Sequence, residues 1–158
     1  MDTSYLWMKA LHLIGVIMFL GNIIITGWWK IMAGRTNNPV IIAFAQRQTA
    51  SADLLFAGGG VLLMLIGGPG NVMHNHLDFL HIFWLKWGLW MFVVVGVIWG
   101  AILVPLQIAQ SRMARQFAEG GEIPARYWKL ERLWRTFSAL ATLLVLVSIY
   151  WMVFKPTF

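Results

Sequence analysis

Apolar residues gather in four long stretches, and polar residues collect between them. A helix needs about 20 largely apolar residues to cross the hydrocarbon core of a bilayer. Tyr5 to Trp29 meets that length, with Tyr5, Trp7, Trp28 and Trp29 placed for the two interfacial belts. The run Leu54 to Gly68 is short alone. It follows Val40 to Asp53, which holds no breaker after Pro39, so the pattern predicts one helix starting near Pro39 and entering the membrane around Ala50. Leu80 to Leu106 is the third stretch. The fourth, Phe137 to Phe154, continues an amphipathic helix from Pro124, a residue suited to a first helical turn.

The expected spans are therefore about 5–29, 50–68, 80–106 and 137–154, with amphipathic segments about 30–49 and 107–136 on the cytoplasmic side. Backbone polar groups in lipid need partners within their own segment, so the fold class is all-α, an integral membrane four-helix bundle. Residues 1–158 form a single domain, and Glu119-Gly120-Gly121-Glu122 marks an exposed turn. The first span runs past about 20 residues without a small-residue cleavage pattern before Gly27-Trp28-Trp29, and is expected to be retained. Gly58-Gly59-Gly60, Gly67-Gly68, Gly88, Gly96 and Gly100 permit close helix approach.

Charge orients the spans. Lys30, Arg35 and Arg47 lie between or just beyond spans one and two, and Arg112, Arg115, Arg126, Lys129, Arg132 and Arg135 lead into span four. Together these are nine of the twelve basic residues, and the loop Gly68 to Phe79 has none. Positive residues stay on the cytoplasmic side, so both termini are expected to be periplasmic, across a bacterial inner membrane. The same topology accounts for the net charge of +6 and the pI near 10.2, so no nucleic-acid partner is expected. A hydrophobic content of 59% and a mean hydropathy of +0.71 agree with a lipid environment. With no cysteine, disulfides, thiolate metal sites, iron–sulfur clusters and c-type haem attachment are excluded.

Polar residues inside the spans are where function is sought first. His12, Gly15, Phe19, Asn22 and Thr26 fall on one helical stripe. His12, about 12 Å below the outer end of its helix, is either a helix-to-helix hydrogen-bonding group or an axial ligand of a b-type haem, with Gly15 leaving space for a flat macrocycle. Lys86, counted inward from Phe79, is about 10 Å deep and nearly level with His12. Lys86 either snorkels to the surface or meets an acidic group such as a haem propionate. His81 lies roughly 9 Å shallower than His12 and serves as a second ligand only if the helices are staggered. In the outer loop, Met73, His74 and His76 offer thioether and imidazole donors for copper.

At the inner face, Asp53 is expected to pair with Arg132 or Arg135, and Glu131 offers Arg135 a competing partner four residues away. Trp28, Trp29, Trp84, Trp128, Trp134 and Trp151 fit interfacial belts.

Leu11-His12-Leu13-Ile14-Gly15-Val16, Trp84-Leu85-Lys86 and Val153-Phe154-Lys155-Pro156 together resemble a group of small bacterial inner-membrane proteins. The group includes the HemJ-type protoporphyrinogen oxidases, the CopD-like proteins and a neighbouring uncharacterised family of predicted integral membrane proteins, which the chain resembles over nearly its whole length. HemJ-type relatives bind b-type haem and use a first-span histidine and a third-span lysine, roles that the resemblance places on His12 and Lys86. They also carry a Tyr-His pair where this chain has Gly27-Trp28-Trp29-Lys30, and an Arg before Asn-Glu where it has Arg132-Leu133-Trp134-Arg135. These departures separate the chain from protoporphyrinogen oxidation itself.

The expectation is thus a haem b redox or electron-transfer protein working toward the periplasmic side. If an enzyme, it is an oxidoreductase of HemJ-like type, with a quinone or respiratory-complex subunits as partners. The alternatives are a non-catalytic subunit or anchor of a larger complex, a homo-oligomer among its possible forms, and CopD-like copper handling. No nucleophile with a base, phosphate loop or hydrolytic zinc motif is present.

Overall fold

The computed structural model describes residues 3–78 and 81–156. Four long helices account for nearly all of them: α1 (Thr3–Arg35), α2 (Pro39–His74), α3 (Phe83–Phe117) and α4 (Ala125–Phe154), each long and apolar enough to cross a membrane. Among the described residues there is no strand. The expected start of the third span at Leu80 lies outside them, as does Phe79.

Local chemistry sets the helix ends. Asn38 caps α2 by accepting from the amides of Val40 and Ile41, and Pro39 fills the first helical position, where its missing N–H costs nothing. Pro124 stands one place earlier than expected: it is the N-cap of α4, in extended conformation, and the helix begins at Ala125. The turn at Glu119 to Glu122 is present, with Gly120 at φ +100°, a conformation that favours glycine. Gly68 to His74, expected as loop, instead extends α2 with Pro69 inside it. Apolar neighbours and a bonded Asn71 side chain, which donates to the Gly67 carbonyl, sustain that last turn.

Both central helices widen part-way along. The segment Asp53–Ala57 of α2 and the segment Ile98–Leu103 of α3 are π-helical. In α3 the reason is close by: Pro105 has no N–H to offer, and its ring crowds the carbonyl of Ala101, so the turn before it loosens.

Glycines fuse α1 to α2. A Cβ at Gly15 would come within 2.6 Å of the Gly60 carbonyl oxygen, and one at Gly60 within 2.7 Å of the Gly15 carbonyl oxygen. Gly67 meets the backbone of Met8 and His12 in the same way. In α3, Gly88 admits the Met152 methyl of α4, whereas Gly96 and Gly100 face open space and play no part in packing.

The α1–α2 pair and the α3–α4 pair join chiefly through their basic ends. Pro39–Ala52 packs on Val104–Phe117, and α1 meets α4, but among the described residues the backbone of Phe83–Val97 approaches neither α1 nor α2 closely. One apolar core, with Phe19, Ala57, Met64, Val95, Trp134 and Ala141, lies inside the bundle. A second, with Ala33, Ile42, Ala43, Ala114, Phe117 and Tyr127, closes the basic end. Helices of 30 to 36 residues run about 45–54 Å, well beyond a hydrocarbon core of about 30 Å, so the second core stands partly outside it.

Gly60→Leu should separate α1 from α2 and destabilise the bundle by about 1–3 kcal/mol or more, read as a lower midpoint in detergent unfolding. Gly96→Ala should leave the midpoint unchanged.

Candidate functional site

Between the two apolar cores lies a belt of buried polar side chains contributed by all four helices. Its α1 members extend the stripe seen in the sequence: Asn22, Thr26 and Lys30 follow one another at four-residue steps, and all are buried. On α4 the buried stripe is Tyr127, Glu131, Trp134, Ser138 and Ala141, and α3 adds Gln107 and Gln110. On α2, Gln46 and Thr49 lead to Asp53 at the first residue of the π segment.

Lys30 is the centre. It is 4% exposed, its Nζ lies 3.0 Å from Glu131 Oε2, and it donates at 3.0 Å to Gln110 Oε1. Gln110 Nε2 donates to the same Glu131 oxygen at 2.7 Å, closing a triangle. The indole of Trp134 lies beneath the ammonium, 3.8 Å from Nζ to the ring centroid, a cation–π contact in a dry setting. Arg135, half-exposed, reaches only to 4.0 Å from the other Glu131 oxygen.

Asp53 makes a second cluster. Asn22 Nδ2 donates to one carboxylate oxygen, and Gln107 Nε2 donates to the other at 2.8 Å. Gln46 bridges α2 to α3 and α4, donating to the Gln107 carbonyl at 3.4 Å and to Ser111 at 3.3 Å while accepting from the Tyr127 hydroxyl at 3.5 Å. Asn22 Oδ1 and Thr49 Oγ1 are buried without a hydrogen-bond partner among the described residues.

A cavity flanks the belt on each side. One, partly open and with room for about one water, is lined by Lys30, Gln46, Tyr127, Trp128 and Glu131 toward the basic end. The other, also partly open and with room for one or two waters, is lined by Asp53, Thr26, Ser138, Phe19, Trp99 and Trp134 toward the membrane interior, with both π segments in its wall.

Several sequence expectations need correction. Asp53 is bonded to Asn22 and Gln107 rather than to Arg132 or Arg135, because Arg135 follows its own helix to Glu131. Trp134 is 4% exposed, a core residue beneath Lys30 rather than part of an interfacial belt. Gly15 offers no space to a macrocycle, since Gly60 and Met64 occupy it.

The histidines and Lys86 lie at the opposite end. The His12 imidazole is half-buried against Gly68, where a Cβ would come within 3.3 Å of Nδ1. Lys86 is one turn into α3, about 4–5 Å from its start at Phe83, against about 13 Å for His12 in α1. Among the described residues, the backbone of Phe83–Val97 does not approach α1 closely. His81 precedes α3, exposed, with Nδ1 2.6 Å from Asp78. His74 ends α2 and stacks on Tyr5 with ring centroids 5.9 Å apart, and His76 is exposed at φ +49°. Among the described residues no three His, Cys, Asp or Glu side chains gather as a metal site. Imidazole chemistry at His12 suits a haem iron. Two of the resemblance motifs do meet: the Lys155 ammonium lies 5.2 Å from the Trp84 ring centroid.

Glu131→Leu alone should leave Lys30 buried and unpaired and cost about 3–5 kcal/mol, whereas Lys30→Met with Glu131→Leu should recover most of that loss. Detergent unfolding of the single and double variants measures both.

Against known proteins, the family model described as "Predicted integral membrane protein (DUF2269)" matches residues 6–156. No curated protein and no solved structure matches the chain.

Proposed function

For a chain that belongs to the DUF2269 family of predicted integral membrane proteins, we propose a role in proton handling within the bilayer, with Asp53 as the group that takes up and releases the proton. One observation carries the reading: an ionisable belt, Glu131 and Lys30 on one side and Asp53 on the other, stands between two cavities. Ionisable side chains inside a membrane bundle are costly and typically mark ion or proton pathways.

In this reading Glu131 and Lys30 face the cavity at the basic end, and Asp53 faces the cavity toward the membrane interior. Lys30 balances one of the two carboxylates at a time, so a proton on either of them leaves the belt neutral. Gln107 and Asn22 hold Asp53 in place through its two oxygens. Trp134 and the apolar core keep bulk water from joining the cavities.

The test is infrared difference spectroscopy of the purified protein across an acid titration. A protonated-carboxyl band should appear in the wild type and in Asp78→Asn, and be lost in Asp53→Asn. A band unaffected by Asp53→Asn would overturn the assignment.

A second reading is a haem b redox role with His12 as axial ligand, supported by the resemblance and by the half-buried imidazole, which lies against Gly68. When bound there, haem would supply one-electron chemistry. Purified protein from haem-replete cells should then show a Soret band that His12→Ala removes; colourless protein would count decisively against it.

A further inference from the structure

We propose that the crevice at Asp53 is a sodium site, in which a partly dehydrated Na+ and a proton take turns on one carboxylate. The step rests on the proton-handling reading and names the ion that the proton replaces. Size comes first. The crevice is partly open and admits one or two waters, so a monatomic ion with a remaining water fits it. Its oxygen-bearing side chains come from three helices: Thr26 from α1, Asp53 from α2 and Ser138 from α4.

The hydrogen bonds already made decide what these oxygens have left to offer. Thr26 donates its hydroxyl hydrogen to the Asn22 carbonyl at 2.7 Å, so its oxygen is left to act as an acceptor. Asn22 Nδ2 and Gln107 Nε2 each occupy one oxygen of Asp53, and each carboxylate oxygen keeps a further lone pair. Asn22 Oδ1, buried on the amide that meets this carboxylate, has no hydrogen-bond partner among the described residues. Water could satisfy some of these acceptors, but only a cation also answers the charge.

That charge is a single unit. The charged groups facing the belt are Lys30 from α1, Asp53 from α2, and Glu131 with the more distant Arg135 from α4, while α3 brings only the neutral Gln107 and Gln110. Lys30 and Arg135 both turn to Glu131, at 3.0 and 4.0 Å, whereas the direct partners of Asp53 are uncharged amides. One monovalent ion on the ionised carboxylate therefore leaves the site with the same charge as one proton does. Divalent cations gather more carboxylates, and among the described residues no three His, Cys, Asp or Glu side chains come together. K+ is larger than Na+ and asks for more oxygens than this crevice presents. Asp53 also opens the π segment of α2, and the π segment of α3 supplies Trp99 and Leu103 to the wall. Segments of this kind recur at functional sites.

The experiment uses the full chain in nonionic detergent micelles, with radiolabelled Na+ as the probe in equilibrium dialysis and N-methylglucamine holding the ionic strength constant. Saturable binding should weaken as the pH falls, because protons compete for Asp53. Unlabelled Na+ should displace the label far better than K+ at the same concentration. Asp53→Asn should weaken binding at least about tenfold. Ser138→Ala, which leaves Asp53 and its two amide partners in place, should weaken it as well while the carboxyl band still titrates.

Absence of saturable binding, which leaves water as the occupant, would overturn the sodium site, as would wild-type affinity in Asp53→Asn, equal displacement by K+, or binding indifferent to pH. If the carboxyl band of Asp53 titrates while Na+ fails to bind, the sodium site falls alone. If that band is also missing, the proton-handling reading falls with it.

Discussion

Taking an ammonium group out of water costs several kcal/mol, and a bundle that does so must satisfy the charge completely. Lys30 is held by Glu131, Gln110 and the face of Trp134, so α1, α3 and α4 have one relative placement in which the charge is met. Asp53 adds α2 to the same constraint through Asn22 and Gln107. Lipid-facing leucines and tryptophans tolerate small rotations of their helices; this belt does not. It fixes the rotation of each helix and so determines which residues form the two apolar cores above and below it.

The glycine contacts act on a different degree of freedom. Gly15, Gly60 and Gly67 bring α1 and α2 into backbone contact, where the driving force in lipid is close van der Waals packing rather than water release. The α3–α4 pair is joined more loosely, by Gly88 on Met152 and by the rings of Phe83, Trp87 and Trp151. Two pairs, each internally closed, then meet through the polar belt and the two apolar cores beside it. This division leaves cavities beside the belt: side chains that must satisfy hydrogen bonds cannot also fill every gap as leucine or methionine would.

Much of this arrangement was legible in the sequence. The four apolar runs, the helix start at Pro39 and the stripe through Asn22 and Thr26 are local patterns, and the helices follow them. Lys30 sits one further step of four along that stripe, and that spacing was the available signal that it turns inward instead of lying in a basic loop. Tyr127, Glu131, Trp134 and Ser138 show the same alternation of four and three, which also explains why Trp134 is core.

What sequence could not supply was pairing across helices. Nothing local says that Gln107 finds Asp53, or that Arg135 stays with Glu131, because those choices depend on how far each helix is rotated and on the π segment that positions Asp53.

A purely structural role for the belt has to meet an energetic objection. Replacing a buried ion pair by apolar side chains of similar volume is often neutral or stabilising, so stability alone gives little reason to keep Lys30 and Glu131. The two carboxylates are also met unequally: Glu131 has Lys30 and Arg135, whereas the direct partners of Asp53 are uncharged amides. The surplus carboxylate is the one that borders the inner cavity, beside aromatic rings and an unpartnered amide oxygen. An imbalance placed at a cavity wall, and not in the sealed core, is what a site for exchangeable positive charge requires; a site built only to hold helices together has no use for it.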